Sequence, residues 1–289
     1  MEIATSTPRF LGASSYASAL RQELSARNII WAESNGFLHE CTLGALPSVL
    51  YRADDQQRHG NFHPASYKRI LNNPAWKSRL AKVHTTVRKH LLSHDPCRQE
   101  LDSCNSSDAL LMSVFCHPST SGKQSRLRLF LGADSEAPFH FGYKPRIPFK
   151  NGRTDCTEVD LSIGNLMIEA KLTEADFQSA PLHLVDRYRD FHEVFRPDAL
   201  EVQFKDVHCY QLIRGILAAH AARERERRYC VICDSRRVDL IECWYRTISA
   251  VQHSELRCRL LLVTWQELAQ VLPATLQRWL SGKYGIDLD

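Results

Sequence analysis

Long apolar runs are missing from this chain. No stretch approaches the roughly 18–20 consecutive apolar residues that span a bilayer. Met1-Glu-Ile-Ala-Thr-Ser-Thr-Pro8 contains no apolar signal core. The expectation is a cytoplasmic protein with no membrane partner. Internal repeats and low-complexity tracts are also lacking. The ten cysteines have no disulfide-framework spacing. Cys116, Cys209, Cys230, Cys233 and Cys243 sit inside apolar runs, where buried free thiols are expected. Cys230-x-x-Cys233 lies in a strand pattern. Positions three apart on a strand point to opposite faces, which disfavours shared metal ligation.

Two motif classes fail on a missing residue. Gly122-Lys123 has no glycine five positions earlier, and Gln124 stands where a P-loop needs Ser or Thr. His59-x-x-x-His63 has helix-compatible metal spacing, but Gly60, Asn61 and Pro64 read as a loop, and the glutamate of a zinc peptidase is lacking. A zinc-stabilised interaction protein, drawing also on His84, His90, His94 and Cys97, is kept as an alternative. Acids are scarce between Arg52 and His94. Lys or Arg recurs at 52, 58, 68, 69, 77, 79, 82, 88 and 89, against only Asp54 and Asp55. That imbalance points toward a phosphate backbone.

What is present is ordinary globular material: 44% hydrophobic and 24% charged residues, and a formal net charge of +4. Residues 1–105 read as a basic, His-rich, mainly helical region. Ser15–Arg27 is one helix, and Pro74–Ser93 is an amphipathic one. The latter has Leu80, Val83, Val87 and Leu91 as its stripe, and Lys77, Lys82, Arg88 and Lys89 as its basic positions. A polar stretch, Asp95–Ser107, separates it from a second region, 106–289. There Ser106 or Ser107 caps a buried helix with Asp108 in its first turn. Leu127–Leu131 reads as a short strand, and Phe139–Tyr143 as another. Lys144, Arg146, Lys150 and Arg153 form a basic lead-in. Thr173–Asp176 caps a short helix, Val207–Ala222 is a long one, and Tyr229–Cys233 is a closing strand. Trp265–Leu280 is helical with a break at Pro273.

The chemistry concentrates in Thr157–Leu172. Gly164-Asn165 is a two-residue hairpin loop. Counting outward, Ile163 faces Leu166, Leu161 faces Ile168, Asp160 faces Glu169 and Glu158 faces Lys171. Val159, Leu161, Ile163, Leu166, Ile168, Ala170 and Leu172 then share an apolar face. Glu158, Asp160, Ser162, Met167, Glu169 and Lys171 share the other. Carboxylates directly opposed across a hairpin repel, and a hard divalent cation between them removes the repulsion. A solvated face with a Glu158–Lys171 pair is the bland reading of the same residues.

Asp160, eight residues, then Glu169-Ala170-Lys171 resembles the PD-(D/E)xK nuclease superfamily. Val159 stands where proline commonly precedes the acid. The resemblance covers roughly 106–245. It implies an α/β (α+β) restriction-endonuclease-like core, a mixed central sheet flanked by helices, here with a mainly helical N-terminal extension. It implies a metal-dependent deoxyribonuclease acting as an endonuclease on DNA. Mg²⁺, with Mn²⁺ as substitute, would be held by Asp160, Glu169 and the Ala170 carbonyl. Lys171 would act beside the attacked phosphate, with Gln211 as accessory residue. A homodimer is compatible with it. A non-catalytic nucleic-acid-binding protein on the same fold is the other alternative.

Overall fold

The computed structural model describes residues 13–43, 47–82, 99–221 and 226–288. The labelled elements, in chain order, are α1 (Ala13–Asn35), α2 (Pro64–Asn72), α3 (Ser107–Phe115), β1 (Phe139–Tyr143), β2 (Val159–Ile163), β3 (Leu166–Ala170), α4 (Tyr210–Ala221), β4 (Arg228–Cys233), α5 (Val238–Ser249), β5 (Leu260–Thr264) and α6 (Ala274–Tyr284).

The five strands form one mixed sheet in the order β5-β4-β3-β2-β1. The meander β1-β2-β3 is antiparallel, and β4 and β5 run parallel to β3. Gly164 closes the β2–β3 loop with φ 58°, and Leu161 pairs with Ile168 as the two-residue loop requires. Helices cover both sheet faces. On one, Leu161, Ile163, Leu166, Ile168, Cys230 and Ile232 pack with Leu20 and Leu24 of α1, Leu110 and Val114 of α3, and Leu276 and Leu280 of α6. On the other, Met167, Tyr229, Val231 and Cys233 pack with Leu212, Ile213 and Ile216 of α4 and Trp244 of α5. Parallel strands joined through helices are normally buried on both sides in this way. The β2–β3 face that carries the charges is therefore largely interior. Cys230 and Cys233 end in different clusters, and every described cysteine is free.

Four local readings change. Val159 joins the α4 side rather than the face of Leu161. Strict alternation is lost near Asp160, where the facing edge strand carries Gly142 at φ 67° and β2–β3 pairing stops at Leu161–Ile168. Residues 126–131 are helical, not extended. The Ser125 hydroxyl accepts the Arg128 N–H, and Gly132 ends the helix at φ 58°, so caps at both ends override a short apolar run. Thr173 starts no helix: the Arg237 guanidinium donates to the carbonyls of Leu172, Glu174 and Ala175. The helix from Pro74 stops early. A single turn, Pro74–Lys77, passes into a 3₁₀ turn, Ser78–Ala81, and Lys82 is extended at ψ 116°. Val83, Arg88, Lys89, the downstream histidines and Cys97 lie outside the described residues.

Candidate active site

The site forms where the β2–β3 ladder ends. The Ala170 N–H donates to Asp160 Oδ2 at 2.7 Å. Lys171 Nζ donates to Glu169 Oε1 at 2.7 Å, and both side chains lie in residues only 5% exposed. The backbone of Lys171 is fixed on both sides: its N–H donates to Ile232 O at 2.8 Å, and its carbonyl accepts the Trp265 indole N–H at 3.0 Å. Burial, then the charges of Glu169 and Asp108, push the Asp160 carboxyl well above the usual carboxylate range; Lys171 and Lys82 pull the other way. Burial works against the Lys171 ammonium, but Glu169, Glu174 and Asp160 outweigh it and hold its pKa above the usual value.

A third acid arrives from α3. Asp108 is 2% exposed, and Ser106 caps its helix by accepting the Ala109 N–H. Arg79 Nη2 donates to Asp108 Oδ2 at 3.0 Å, and Lys82 Nζ to the same oxygen at 2.5 Å. Burial raises the Asp108 pKa, but those two cations lower it further, so it stays ionised. Arg79 Nη1 also donates to Glu158 Oε1 at 3.0 Å, and Lys82 lies 3.7 Å from that oxygen. The Glu158–Lys171 pair of the bland reading therefore does not form: Glu158 bonds Arg79 and Lys171 bonds Glu169. The basic 74–82 segment also turns Arg79 and Lys82 inward, onto acids, rather than outward. Asp108 was visible as the acid that starts α3. Its partners were not, because 26 to 29 residues of chain separate it from them.

The Gln211 N–H donates to Phe177 O at 3.0 Å, while its Oε1 is buried with no hydrogen-bond partner among the described residues. Three residues on, Arg214 reaches the Glu158 carbonyl at 3.4 Å. No hydrogen bond joins Gln211 to Asp160, Glu169 or Lys171 among the described residues. Lys150 is tied to Asp186 at 3.0 Å. His59 and His63 diverge. His59 Nε2 meets Asp102 at 3.3 Å and its Nδ1 accepts the Asn61 N–H, while His63 packs on His117 and Trp279. Burial pulls the His63 pKa down to about 4.

The oxygen donors suit a hard cation. Mg²⁺ takes one or two carboxylates and fills its octahedron with water and phosphate. Among the described residues no three His, Cys, Asp or Glu side chains form a complete cage. The Asp160–Glu169 pair matches the sparse protein ligation of Mg²⁺.

A meander carrying an acid and E-x-K, a preceding buried helix and a parallel closing strand define a restriction-endonuclease-like protein. Residues 40–285 match the family model of the restriction endonuclease associating with ARP, and the chain belongs to that family. No curated protein and no solved structure matches it significantly. Among the described residues no helix is long and apolar enough to cross a membrane.

Proposed function

We propose that this protein is a metal-dependent deoxyribonuclease, an endonuclease hydrolysing phosphodiester bonds in DNA. The observation that carries the reading is the convergence of Asp160, Glu169 and Lys171 at the open end of the β2–β3 ladder, in a chain of a restriction-endonuclease family. Asp160, Glu169 and the Ala170 carbonyl would hold Mg²⁺, or Mn²⁺ in its place. Such an ion, when bound, lowers the pKa of a coordinated water and neutralises charge on the phosphate. Lys171, bonded to Glu169, would orient the attacking water or supply positive charge for the pentacovalent phosphorane. Glu169 positions that ammonium through the 2.7 Å bond. Gln211, with a buried unpartnered oxygen, is the accessory residue of this reading.

The test is incubation of plasmid DNA with the protein and Mg²⁺ or Mn²⁺. Asp160→Ala, Glu169→Ala and Lys171→Ala, each confirmed as folded, are expected to lose about 10²–10³-fold or more in rate. Full activity in any one of them removes that residue from the mechanism. A protein that binds DNA in chelator, yet cuts none with either metal, is instead a non-catalytic binder.

A further inference from the structure

A cleft of about 490 Å³ lies between the Asp54–Arg58 turn and α2, away from the acids of the site. Its size is that of a small-molecule pocket, and its chemistry is selective. Phe37 and Tyr67 supply aromatic walls, Gln56 and Gln57 supply amides, and Lys68 and Arg58, the latter paired through its Nε with Asp54 behind the lining, supply cations. The walls are fixed. Tyr67 stacks on Phe62 with ring centroids 5.2 Å apart, and His59 backs it at 5.3 Å. Both His59 nitrogens are already engaged, so that ring is wall and not reagent.

The turn is built rather than loose. The Asp54 carboxylate accepts the N–H groups of Gln56 and Arg58, at 3.0 and 2.8 Å, and the Arg58 Nε–H at 2.8 Å. Gln57 is held at φ 57°, a left-handed conformation that a non-glycine residue keeps only when its surroundings impose it. The result sets the Arg58 guanidinium 5.7 Å from the Phe37 ring centre. Lys68 makes no ion pair among the described residues, so its charge remains available.

We propose that this cleft binds a nucleobase together with its adjoining phosphate. The base lies against Phe37 and Tyr67, as any base can lie on an aromatic face. Gln56 and Gln57 offer amide donors and acceptors to its edge, and Arg58 and Lys68 take the phosphate. The base could belong to an unpaired position in a DNA strand or to a free mononucleotide. The DNA source rests on the nuclease reading; the pocket itself does not. Tyr67 shares a packed cluster with Ala109 and Met112 of α3, the helix whose first turn carries Asp108, so the pocket stands in a fixed relation to the acids. A nucleotide held there would anchor a strand relative to the cleavage centre.

The experiment measures binding of the four deoxynucleoside 5′-monophosphates, of inorganic phosphate, and of a duplex bearing one unpaired 2-aminopurine. Full-length protein is used in chelator, as wild type, Arg58→Ala/Lys68→Ala, Phe37→Ala and, as control, Lys123→Ala. Wild type is expected to bind mononucleotides at least tenfold tighter than phosphate, and the first two variants to lose at least tenfold. Lys123→Ala, at an exposed lysine outside both sites, should bind like wild type. If the 2-aminopurine duplex follows the same pattern, the base comes from DNA; if only mononucleotides do, the ligand is a free nucleotide. Equal affinity for phosphate and nucleotides, or unchanged affinity in both pocket variants, overturns the proposal. A protein that binds nucleotides here yet never cuts DNA keeps the pocket and loses the nuclease reading. Should Phe37→Ala fail to fold, the exposed Arg58→Ala/Lys68→Ala pair decides alone.

Discussion

Asp160 shows how one carboxylate can be both needed and costly. Its pKa is raised by burial and by the charges of Glu169 and Asp108. A raised folded-state pKa favours folding below the unfolded value and is a liability once pH rises through the folded one. At neutral pH without metal, ionised Asp160 therefore weakens the fold. Asparagine keeps an oxygen for the Ala170 N–H and removes the charge. Asp160→Asn is expected to melt at or above wild type in chelator at pH 7, by on the order of 1 kcal/mol, while losing cleavage. The difference should vanish near pH 4, and millimolar Mg²⁺ should raise the wild-type melting temperature more than the variant's. A variant melting well below wild type in chelator would make Asp160 a structural partner instead.

At the scale of elements, α4 meets β4 through the absence of a side chain. A Cβ on Gly215 would stand 2.2 Å from Cζ of Tyr229, whose ring is fully buried against Trp244 on α5. Alanine in a helix interior normally gains about 0.5–1 kcal/mol over glycine. Here overlap with a rigid ring opposes that gain, at about 1–3 kcal/mol. Gly215→Ala is thus predicted to destabilise by about 1–2 kcal/mol, read from urea unfolding. A stabilised variant would mean that Tyr229 yields without penalty. The same contact serves the site, because α4 carries Gln211 and Arg214, and β4 receives the Lys171 N–H through Ile232.

For the whole molecule, Lys283 joins the last helix to the first. It is fully buried, its Nζ donates to Asn28 Oδ1, and it lies 4.1 Å from the Tyr51 ring centre. Burial pulls its pKa down to about 7. An unfolded lysine keeps its proton to about pH 10.4. Between those values the unfolded chain binds more protons, so stability should rise with pH from about 7 to 10 and be lost as pH falls. Lys283→Met should flatten this slope and melt above wild type at pH 6, by on the order of 2 kcal/mol, with the advantage fading toward pH 10. Thermal melts across that range test it, and a variant less stable at pH 6 would show that the Asn28 bond and Tyr51 contact outweigh desolvation. Among the described residues, α1 thus packs into the core that carries the nuclease-like sheet.

Local spacing determined the hairpin and its two-residue loop, because strand alternation and loop length are counted in neighbouring residues. It also placed the Ser106-capped helix and the closing strand, whose signals are caps and apolar runs. Only the tertiary structure decided which charges meet. Arg79 and Lys82 reach Asp108 and Glu158 across tens of residues. Arg237, with no exposed surface, takes the carbonyls that would otherwise have begun a helix after Leu172. Trp265 fixes the backbone of Lys171 from beyond β5. A side chain's identity states what it can bond. Its partner is selected by packing, because burial removes water as the competing partner and leaves whichever groups the fold brings within reach.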